Sequence, residues 1–296
     1  MANPEWTTQP ERSNTLAMRF IVWVALTLGR PTARLLLYPI CLYFLCFAWK
    51  AKAASRKYLG KVLGRKPRFT DLFRHIHTFA STILDRVFLL KDQCARFDVR
   101  VHGTEIVDDM AMHGEGCFLV GAHLGSFEIM RALGQEAQGL RISLVMYEEN
   151  ARKLNSVLAA INPNGFPRII ALGKVDSMLK IQDALKDGEF VGVLSDRTIT
   201  GEGTITQQFL GEDAHFPLGP FRLAAMLRRP IVLMFGVYRG GNRYDVYFES
   251  LADMRDVDRS QRSAVVEATI QQYVSRLEYY CRLAPYNWFN FYDFWK

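Results

Sequence analysis

The sequence predicts an α/β fold in which a mostly parallel or mixed central sheet is flanked by helices. From about residue 70 onward, short apolar runs of strand length alternate with segments whose apolar residues recur at helical spacing. Such alternation is typical of strands joined by crossover helices. The 296 residues, 49% apolar and 23% charged, are enough for one large core. No period of 20–50 residues recurs, which excludes a solenoid.

The elements follow from these patterns in chain order. Helices are predicted over residues 71–90, 126–133, 151–161, 175–186, 217–227 and 261–283. Strands are predicted over residues 117–122, 141–147, 168–172, 189–194, 231–238 and 244–250. The glycine-rich stretch around Gly201 and Gly203 is expected to be a loop. The last helix has its apolar residues on one side, as expected for a helix packed against a sheet.

Residues 1–69 are predicted to form an N-terminal region of membrane-associating helices and a basic segment, followed by the α/β domain over 70–296. Two apolar runs, residues 16–28 and 35–49, are each shorter than the roughly 20 residues that a spanning helix needs. Trp23 and Trp49 lie near the apolar–polar boundary and many cations follow, which favours a helical hairpin in the membrane interface. A pair of buried core helices is the alternative.

The positive charge is concentrated beside these apolar runs. Residues 1–70 hold 12 Lys and Arg against 2 Asp and Glu, whereas residues 71–296 hold 25 against 28. A basic cluster next to an apolar stretch favours anionic lipid headgroups over nucleic acid. We therefore expect a membrane surface as a partner, and no nucleic acid.

The cysteines and paired histidines do not indicate a metal site. The five cysteines form no C-x-x-C pair, so neither a disulfide framework nor a zinc site is expected, and buried thiols are the simplest interpretation. His75 and His77 are two residues apart in a predicted helix and would point in different directions. No metal is expected.

The segment G-A-H-L-G-S-F-E, residues 121–128, carries the clearest chemical signal. It places His123 after a buried strand and Glu128 in the helix that follows, at the edge of the sheet where α/β proteins bind ligands. A histidine can take a proton from an attacking hydroxyl or amine, and a carboxylate on its other ring nitrogen fixes the tautomer. No G-x-S-x-G elbow accompanies it, which disfavours a covalent hydrolase and favours direct transfer to a substrate nucleophile. A core histidine without catalytic function is the alternative for His123.

The segment H-L-G-S-F-E resembles the H-x4-[DE] motif of the lysophospholipid acyltransferase superfamily, and its Glu is similar to that of the lipid A late acyltransferase branch. Phe209 to Ala224 and the L-S-D-R stretch ending at Arg197 resemble further blocks of that branch, and the likeness runs from about residue 10 to the C-terminus. Residues 284–295 and 238–244 resemble acyltransferases predicted in aryl-polyene and xanthomonadin-type pigment pathways. The chain lacks the branch's terminal His-Arg-Arg segment, which disfavours lipid A as the acceptor.

The resemblance implies a glycerophosphate-acyltransferase-like fold and acyl transfer from an acyl carrier protein or coenzyme A thioester to a hydroxyl or amine of a membrane lipid. It implies no cofactor, no metal, and a site on the cytoplasmic side of the bacterial inner membrane. His123 would be the general base, Glu128 the group that orients it, and Arg168 the cation that stabilises the oxyanion. The residues expected to bind substrate are Ser126, Asp196, Arg197 and Gly219.

Several alternatives stay open at this stage. Asp196 and Arg197 could line the acceptor pocket, fix the loop that carries His123, or form a structural pair. Arg168 could be an ordinary surface arginine. The aromatic stretch 288–295 could pack in the core or contact the membrane, and the sequence slightly favours the membrane. For the whole protein, a thioesterase and a non-enzymatic lipid-binding component of a biosynthetic complex are the competing functions.

Overall fold

The computed structural model describes residues 15–129, 141–147, 168–172, 176–198 and 203–295, with side chains from residue 20 onward. The strands are β1 (Asp98–His102), β2 (Phe118–Gly121), β3 (Ile142–Tyr147), β4 (Arg168–Leu172), β5 (Phe190–Leu194), β6 (Thr204–Phe209), β7 (Glu212–Pro217), β8 (Ile231–Gly240) and β9 (Arg243–Ala252). The helices are α1 (Thr15–Thr27), α2 (Gly29–Phe47), α3 (Trp49–Leu63), α4 (Phe69–Leu89), α5 (Thr104–Met112), α6 (Ser177–Lys186), α7 (Gly219–Leu227) and α8 (Arg262–Leu283). The chain is also helical at 127–129.

Seven of the described strands form one sheet in the order β1-β9-β8-β2-β5-β3-β4. All neighbours pair in parallel except β8 and β9, which are antiparallel, so β1 and β9 run opposite to the other five strands. The central strand β2 is buried along its whole length, as expected for a parallel strand covered on both faces. This architecture confirms the predicted α/β fold with a mostly parallel sheet.

The two faces of the sheet pack against largely different helices. On β2, Phe118 and Val120 belong to a core shared with α3, α6, α7 and α8, and with Leu45 of α2 and Leu72 of α4. Cys117 and Leu119 belong to a second core, shared with α1, α2, α4 and α5. Successive residues of a strand point to opposite faces, so one short apolar run supplies both cores. Helices from residues 1–69 and from residues 70–296 both contribute to these cores. The predicted division into these two regions stays a prediction.

Helix α2 has one buried and one exposed apolar face. It buries Ala33, Leu37, Cys41 and Leu45, whereas Leu35 and Phe47 are 69% and 59% exposed. The alternative of a buried core helix thus holds for one face of α2 and not for the other. Among the described helices, none is by itself long and apolar enough to cross a bilayer; α2 and α3 together meet those criteria but are bent by 95° at their junction.

Five described elements were not predicted from the sequence. They are α3, β1, α5 and the two strands of a separate β6–β7 hairpin, which occupies the stretch just after the expected glycine-rich loop. The hairpin turns at Leu210 and Gly211, both with positive φ (51° and 84°), the geometry of a type I′ turn. Leucine is an unusual residue in that position, so the sequence gives no ordinary turn signal. Helix α7 begins at Gly219 rather than 217, because β7 extends to Pro217.

The other predicted boundaries agree with the structure to within a few residues, and β4 coincides with its prediction. The predicted helix over 151–161, the end of the predicted helix over 126–133 and Gly201 lie outside the described residues.

Candidate active site

The carboxyl ends of β2 and β5 bring His123 and Asp196 together. The two strands are parallel neighbours, and Gly121 lies opposite Leu194 in their register. His123 and Asp196 each follow their strand by two residues. Because both strands end at the same edge of the sheet, residues 73 positions apart in sequence meet there.

His123 and Asp196 are joined by two hydrogen bonds. The imidazole Nδ1 is 2.7 Å from Oδ1 of Asp196, and the backbone N–H of His123 donates to Oδ2 at 3.1 Å. Since a carboxylate can only accept here, Nδ1 carries the proton and Nε2 is left as the basic nitrogen. Asp196 thus fixes both the tautomer and the position of the imidazole.

Asp196 is fully buried and stays ionised. Burial alone would raise the pKa of this carboxyl, but the hydrogen bonds from His123 and Trp288 and the charge of Arg197 hold the pKa well below its usual range. The indole Nε1 of Trp288 and the amide Nδ2 of Asn290 each donate to Oδ2 at 2.9 Å. The carboxylate therefore accepts four hydrogen bonds.

His123 is kept in its neutral form. Burial lowers the pKa of His123 first, and the nearby charge of Arg197 lowers it further; Asp196 opposes both effects without reversing them. A histidine whose pKa lies below 6.5 is mostly unprotonated at neutral pH. The imidazole can accordingly accept a proton, the requirement for a general base.

The predicted contact between Glu128 and the imidazole is wrong. Glu128 forms an ion pair with Arg86 of α4, and the Nδ1 position is occupied by Asp196. The physical reason is the tight turn at Gly125, which has φ +71° and whose Cβ, if present, would be 1.9 Å from the Gly236 carbonyl oxygen. After this turn, which contacts β8 at Gly236, the helix begins at residue 127, and Glu128 lies close enough to Arg86 to form an ion pair. A catalytic role for Glu128 stays a prediction.

Arg168 is not at this site. Arg168 is the first residue of β4. Strands β4, β3, β5 and β2 all run in the same direction, so the start of β4 lies at the opposite edge of the sheet from His123, which follows the end of β2. The guanidinium of Arg168 is 3.2 Å from Glu189 and about half exposed. Arg168 is thus a surface arginine in an ion pair, and its predicted contact with the oxyanion is wrong.

A mostly apolar pocket of about 420 Å³ opens beside His123, within the size range of ligand sites. Its polar lining consists of His123, Glu128, Arg86, Arg197 and Arg222. The rest of the lining is apolar or glycine and includes Phe118, Phe127, Leu144, Val193, Leu223 and Gly219. The structure thus brings four predicted residues to the pocket lining, namely His123, Glu128, Arg197 and Gly219. Asp196, which was also expected to bind substrate, is bonded to His123 and does not line the pocket in the described part of the chain.

Ser126, a further predicted substrate-binding residue, is buried and lies outside this lining in the described part of the chain. Its backbone N–H donates to the Gly236 carbonyl at 2.7 Å. The structure therefore assigns Ser126 to the turn that follows His123 and does not bring it to the pocket.

Residues 287–290 form a part of the site that sequence reasoning missed. Trp288 makes an antiparallel bridge to Leu124, the Phe289 N–H donates to the His123 carbonyl at 2.7 Å, and the Gly125 N–H donates to the Asn287 carbonyl at 2.8 Å. Trp288 is fully buried, so the expectation that this tryptophan contacts the membrane is wrong. The available signal was the presence of two asparagines in an otherwise aromatic stretch, because buried amides need specific partners.

Arg197 is held by the same segment. Its Nε donates to Oδ1 of Asn290 at 2.8 Å and its Nη2 to the Phe289 carbonyl at 3.2 Å, while its guanidinium lies 5.7 Å from the ring centre of Tyr292. A fixed cation therefore lines the pocket next to His123. Within the described residues, no group of three or more His, Cys, Asp or Glu side chains is placed to hold a metal ion.

A neutral histidine held by a buried carboxylate at the carboxyl edge of a parallel sheet, next to an apolar pocket, is the arrangement of an α/β enzyme that acts on a ligand with a substantial apolar part. The family model for bacterial lipid A biosynthesis acyltransferases matches residues 9–296, and the chain belongs to that family. The protein is therefore an acyltransferase of lipid biosynthesis.

Two further comparisons complete this result. The crystal structure of the 1-acyl-sn-glycerophosphate acyltransferase PlsC from Thermotoga maritima is similar, with 17% identity, a TM-score of 0.39, and coverage of 83% of this chain and 96% of that one. A search of curated proteins found no match.

Proposed function

We propose that this acyltransferase moves a fatty acyl or aryl-polyene acyl group from an acyl carrier protein or coenzyme A thioester to a hydroxyl or amine of a membrane lipid. The observation that carries the proposal is the His123–Asp196 pair beside a mostly apolar pocket. The pair supports proton removal, and the pocket offers an apolar environment for a hydrocarbon chain. The pigment-pathway branch of the proposal rests on the likeness of residues 238–244 and 284–295.

The proposed reaction is a direct transfer. Nε2 of His123 takes the proton from the acceptor hydroxyl or amine as its oxygen or nitrogen bonds to the thioester carbonyl carbon. The carbonyl becomes an oxyanion, which collapses to break the carbon–sulfur bond, and the proton passes from His123 to the departing thiolate. Asp196 stabilises the imidazolium between these steps.

Arg197 is the cation that we assign to the developing oxyanion in place of Arg168. It lines the pocket, its charge acts on His123, and it is fixed by Asn290 and Phe289. Preorganised positive charge is most effective where negative charge develops and water is excluded. Glu128 and Arg86, which also line the pocket, are proposed to contact the polar part of a substrate.

The N-terminal helices are proposed to hold the protein on the cytoplasmic side of the bacterial inner membrane. Exposed apolar side chains continue from α1 through α2 to the start of α3, including Trp23 (56% exposed), Leu35 (69%) and Trp49 (68%). Lys50 and Lys52 follow directly. Large aromatic and aliphatic side chains beside cations suit the interface of an anionic lipid layer.

The test is a transfer assay on purified wild-type protein and His123→Ala in detergent. Each protein is incubated with a radiolabelled acyl-carrier-protein thioester, or the coenzyme A thioester, and a total lipid extract of the source organism, and the products are separated by chromatography. We expect a new labelled lipid with wild type and its loss with His123→Ala. His113→Ala, which changes an exposed histidine that does not line the pocket, is the matched control and should retain transfer.

The competing functions give different products. Label released only as free acid, in a His123-dependent way, would replace transfer with a thioesterase. Thioester that is not consumed by wild type at all, or full transfer by His123→Ala, would contradict the proposed mechanism and favour a non-enzymatic lipid-binding role.

A further inference from the structure

We infer that Trp288 and Asn290 are positioning residues of the reaction, which hold the Asp196 carboxylate so that its other oxygen faces His123. The inference rests on the proposed function of His123 as the general base. Neither residue lines the pocket in the described part of the chain, so both would act through Asp196 and not by touching substrate.

The two oxygens of Asp196 have different partners. Oδ1 lies 2.7 Å from Nδ1 of His123. Oδ2 accepts from the backbone N–H of His123 at 3.1 Å and from the side chains of Trp288 and Asn290 at 2.9 Å each. A carboxylate bound at only one oxygen could rotate about its Cβ–Cγ bond. The two side-chain donors at Oδ2 oppose that rotation and keep Oδ1 directed at the imidazole.

The amide of Asn290 has only one orientation that suits its neighbours. The Nε of Arg197 can only donate, so it requires the amide oxygen of Asn290 on its side, at 2.8 Å. The amide nitrogen is consequently directed at Asp196. One asparagine therefore fixes both the cation and the carboxylate of the site.

Trp288 is held on all sides. Its ring packs against Tyr58, Phe209 and Phe294, with ring centres 4.9, 5.3 and 4.8 Å away. Its carbonyl lies 2.8 Å from Nε2 of the buried His75, whose Nδ1 is 2.8 Å from the Ser55 hydroxyl. Because a carbonyl only accepts, Nε2 of His75 carries the proton and Nδ1 accepts from Ser55.

Loss of a donor at Oδ2 would have two effects. The carboxylate would be less restrained, which lowers the fraction of protein with a correctly oriented imidazole. The negative charge of Asp196 would also be less neutralised by hydrogen bonds, and it would stabilise the imidazolium more strongly, so the pKa of His123 would rise. If Trp288 only stabilised the fold, its replacement would not specifically change the orientation of the imidazole or the pKa of His123.

The experiment compares Trp288→Phe with Trp295→Phe, each of which removes an indole N–H and keeps an aromatic ring. The indole of Trp295 donates to the Phe209 carbonyl at 3.2 Å and not to Asp196, so it is the matched control. Asn290→Leu tests the second donor with a side chain of similar size. Two readouts are used: kcat and KM for acyl transfer across pH, and the titration of His123 followed by NMR of histidine-labelled protein, assigned with His123→Gln.

We expect Trp288→Phe to lower kcat by about tenfold or more with little change in KM, and to move the acid limb of activity and the His123 titration to higher pH. Trp295→Phe should leave both near wild type. Equal effects of the two tryptophan changes, or an unmoved His123 titration in both Trp288→Phe and Asn290→Leu, would overturn the inference. If wild type shows no transfer, the proposed function fails, and the NMR titration still decides whether Trp288 acts on His123.

Discussion

At the scale of single residues, the site depends on which carboxylate touches the imidazole. Asp196 is fully buried and bonded to Nδ1 of His123, whereas Glu128 is paired with Arg86. Both acids lie in segments that resemble the family, but only Asp196 is in contact with the imidazole, where its charge raises the pKa of His123. This difference can be measured.

Asp196→Asn should lower kcat for acyl transfer by about 10²- to 10⁴-fold, because the imidazole loses the acceptor that fixes its tautomer and the charge that stabilises its protonated form. The same change should lower the pKa of His123, since a negative charge is removed. Both quantities are measured by pH-dependent kinetics and by NMR titration of His123.

Glu128→Gln is the comparison variant, and it should move the His123 titration less than Asp196→Asn does. Asp245→Asn, which alters an acid paired with Arg239 on the β8–β9 hairpin, serves as the control for removing a buried charge. A larger shift in Glu128→Gln than in Asp196→Asn would show that Glu128 is the partner of His123.

Sequence reasoning identified His123 correctly as a residue beside a pocket, because the strand, the glycine and the following helix are all local features. It also offered Asp196 as a residue that fixes the His123 loop, but it could not choose that role over the others, because the contact depends on the pairing of β2 with β5. The error at Arg168 has the same origin. Its position at the start of β4 was correct, but only the parallel direction of the strand shows that the start of β4 lies far from His123.

At the scale of elements, His75 links three parts of the chain. It lies on α4, is bonded to Ser55 of α3 and to the Trp288 carbonyl, and is fully buried. Burial lowers the pKa of His75 to about 4, although the bond to Trp288 opposes that shift. This histidine must therefore be neutral for the elements to pack as they do.

The pKa of His75 makes stability depend on pH in a defined range. Above pH 6.5 the imidazole is neutral in both folded and unfolded chains and has no effect. Between about pH 6.5 and 4, only the unfolded chain takes up the proton, so the free energy of unfolding falls as pH falls, by roughly 3 kcal/mol over the full range.

His75→Gln should show a smaller loss of stability than wild type when urea unfolding is compared between about pH 7.5 and pH 5. The Gln amide can still donate to a carbonyl and accept from a hydroxyl, so the fold should be retained. His113→Gln, at an exposed position, should retain the wild-type slope. An unchanged slope in His75→Gln would mean that this imidazole is not the source of the pH dependence.

Most elements were predictable because their periodicity is strong, as in α4, α8 and the apolar strands. The β6–β7 hairpin was not, because its strands are mainly polar and exposed and its turn has leucine in a left-handed conformation. The short edge strand β1 was also missed. Its half-exposed pattern, which lacks a continuous apolar run, is typical of the edge of a sheet.

At the scale of the whole molecule, exposed apolar side chains are concentrated on the N-terminal helices. The exposed members on α2 and the start of α3 include Leu35, Phe47 and Trp49, beside Lys50 and Lys52. Their buried counterparts on α2 pack in both cores, with Ala33, Leu37 and Cys41 in the second and Leu45 in the first, so this surface is joined to the packed interior. The composition of this region is evident from the sequence, but only the structure separates the buried from the exposed face.

Replacing Leu35, Phe47 and Trp49 together with Ser should weaken binding to lipid vesicles by at least about tenfold, because each large apolar side chain contributes about 1.5–3 kcal/mol when fully buried. Co-sedimentation with vesicles that contain phosphatidylglycerol measures this binding. Vesicles without anionic lipid, or about 0.5 M salt, should also bind less wild-type protein, since Lys50 and Lys52 would lose their attraction.

Met112→Ser is the control for that experiment, because Met112 is 77% exposed but lies on α5, outside the N-terminal helices. Equal vesicle binding by the triple variant and wild type would contradict membrane attachment through α2 and α3. That result would not contradict the proposed reaction at His123, since none of the three side chains lines the pocket.

The bridge between Leu124 and Trp288 can form only after both residues have been synthesised, so it forms late in the synthesis of the protein. A growing chain reaches the N-terminal helices and the His123 turn long before residues 287–290 leave the ribosome. Until then Asp196 lacks two of its side-chain donors and Arg197 lacks its anchor. A nascent chain that binds to lipid through its first helices would still have an unassembled reaction centre, and acyl transfer would begin only after residues 287–290 had left the ribosome.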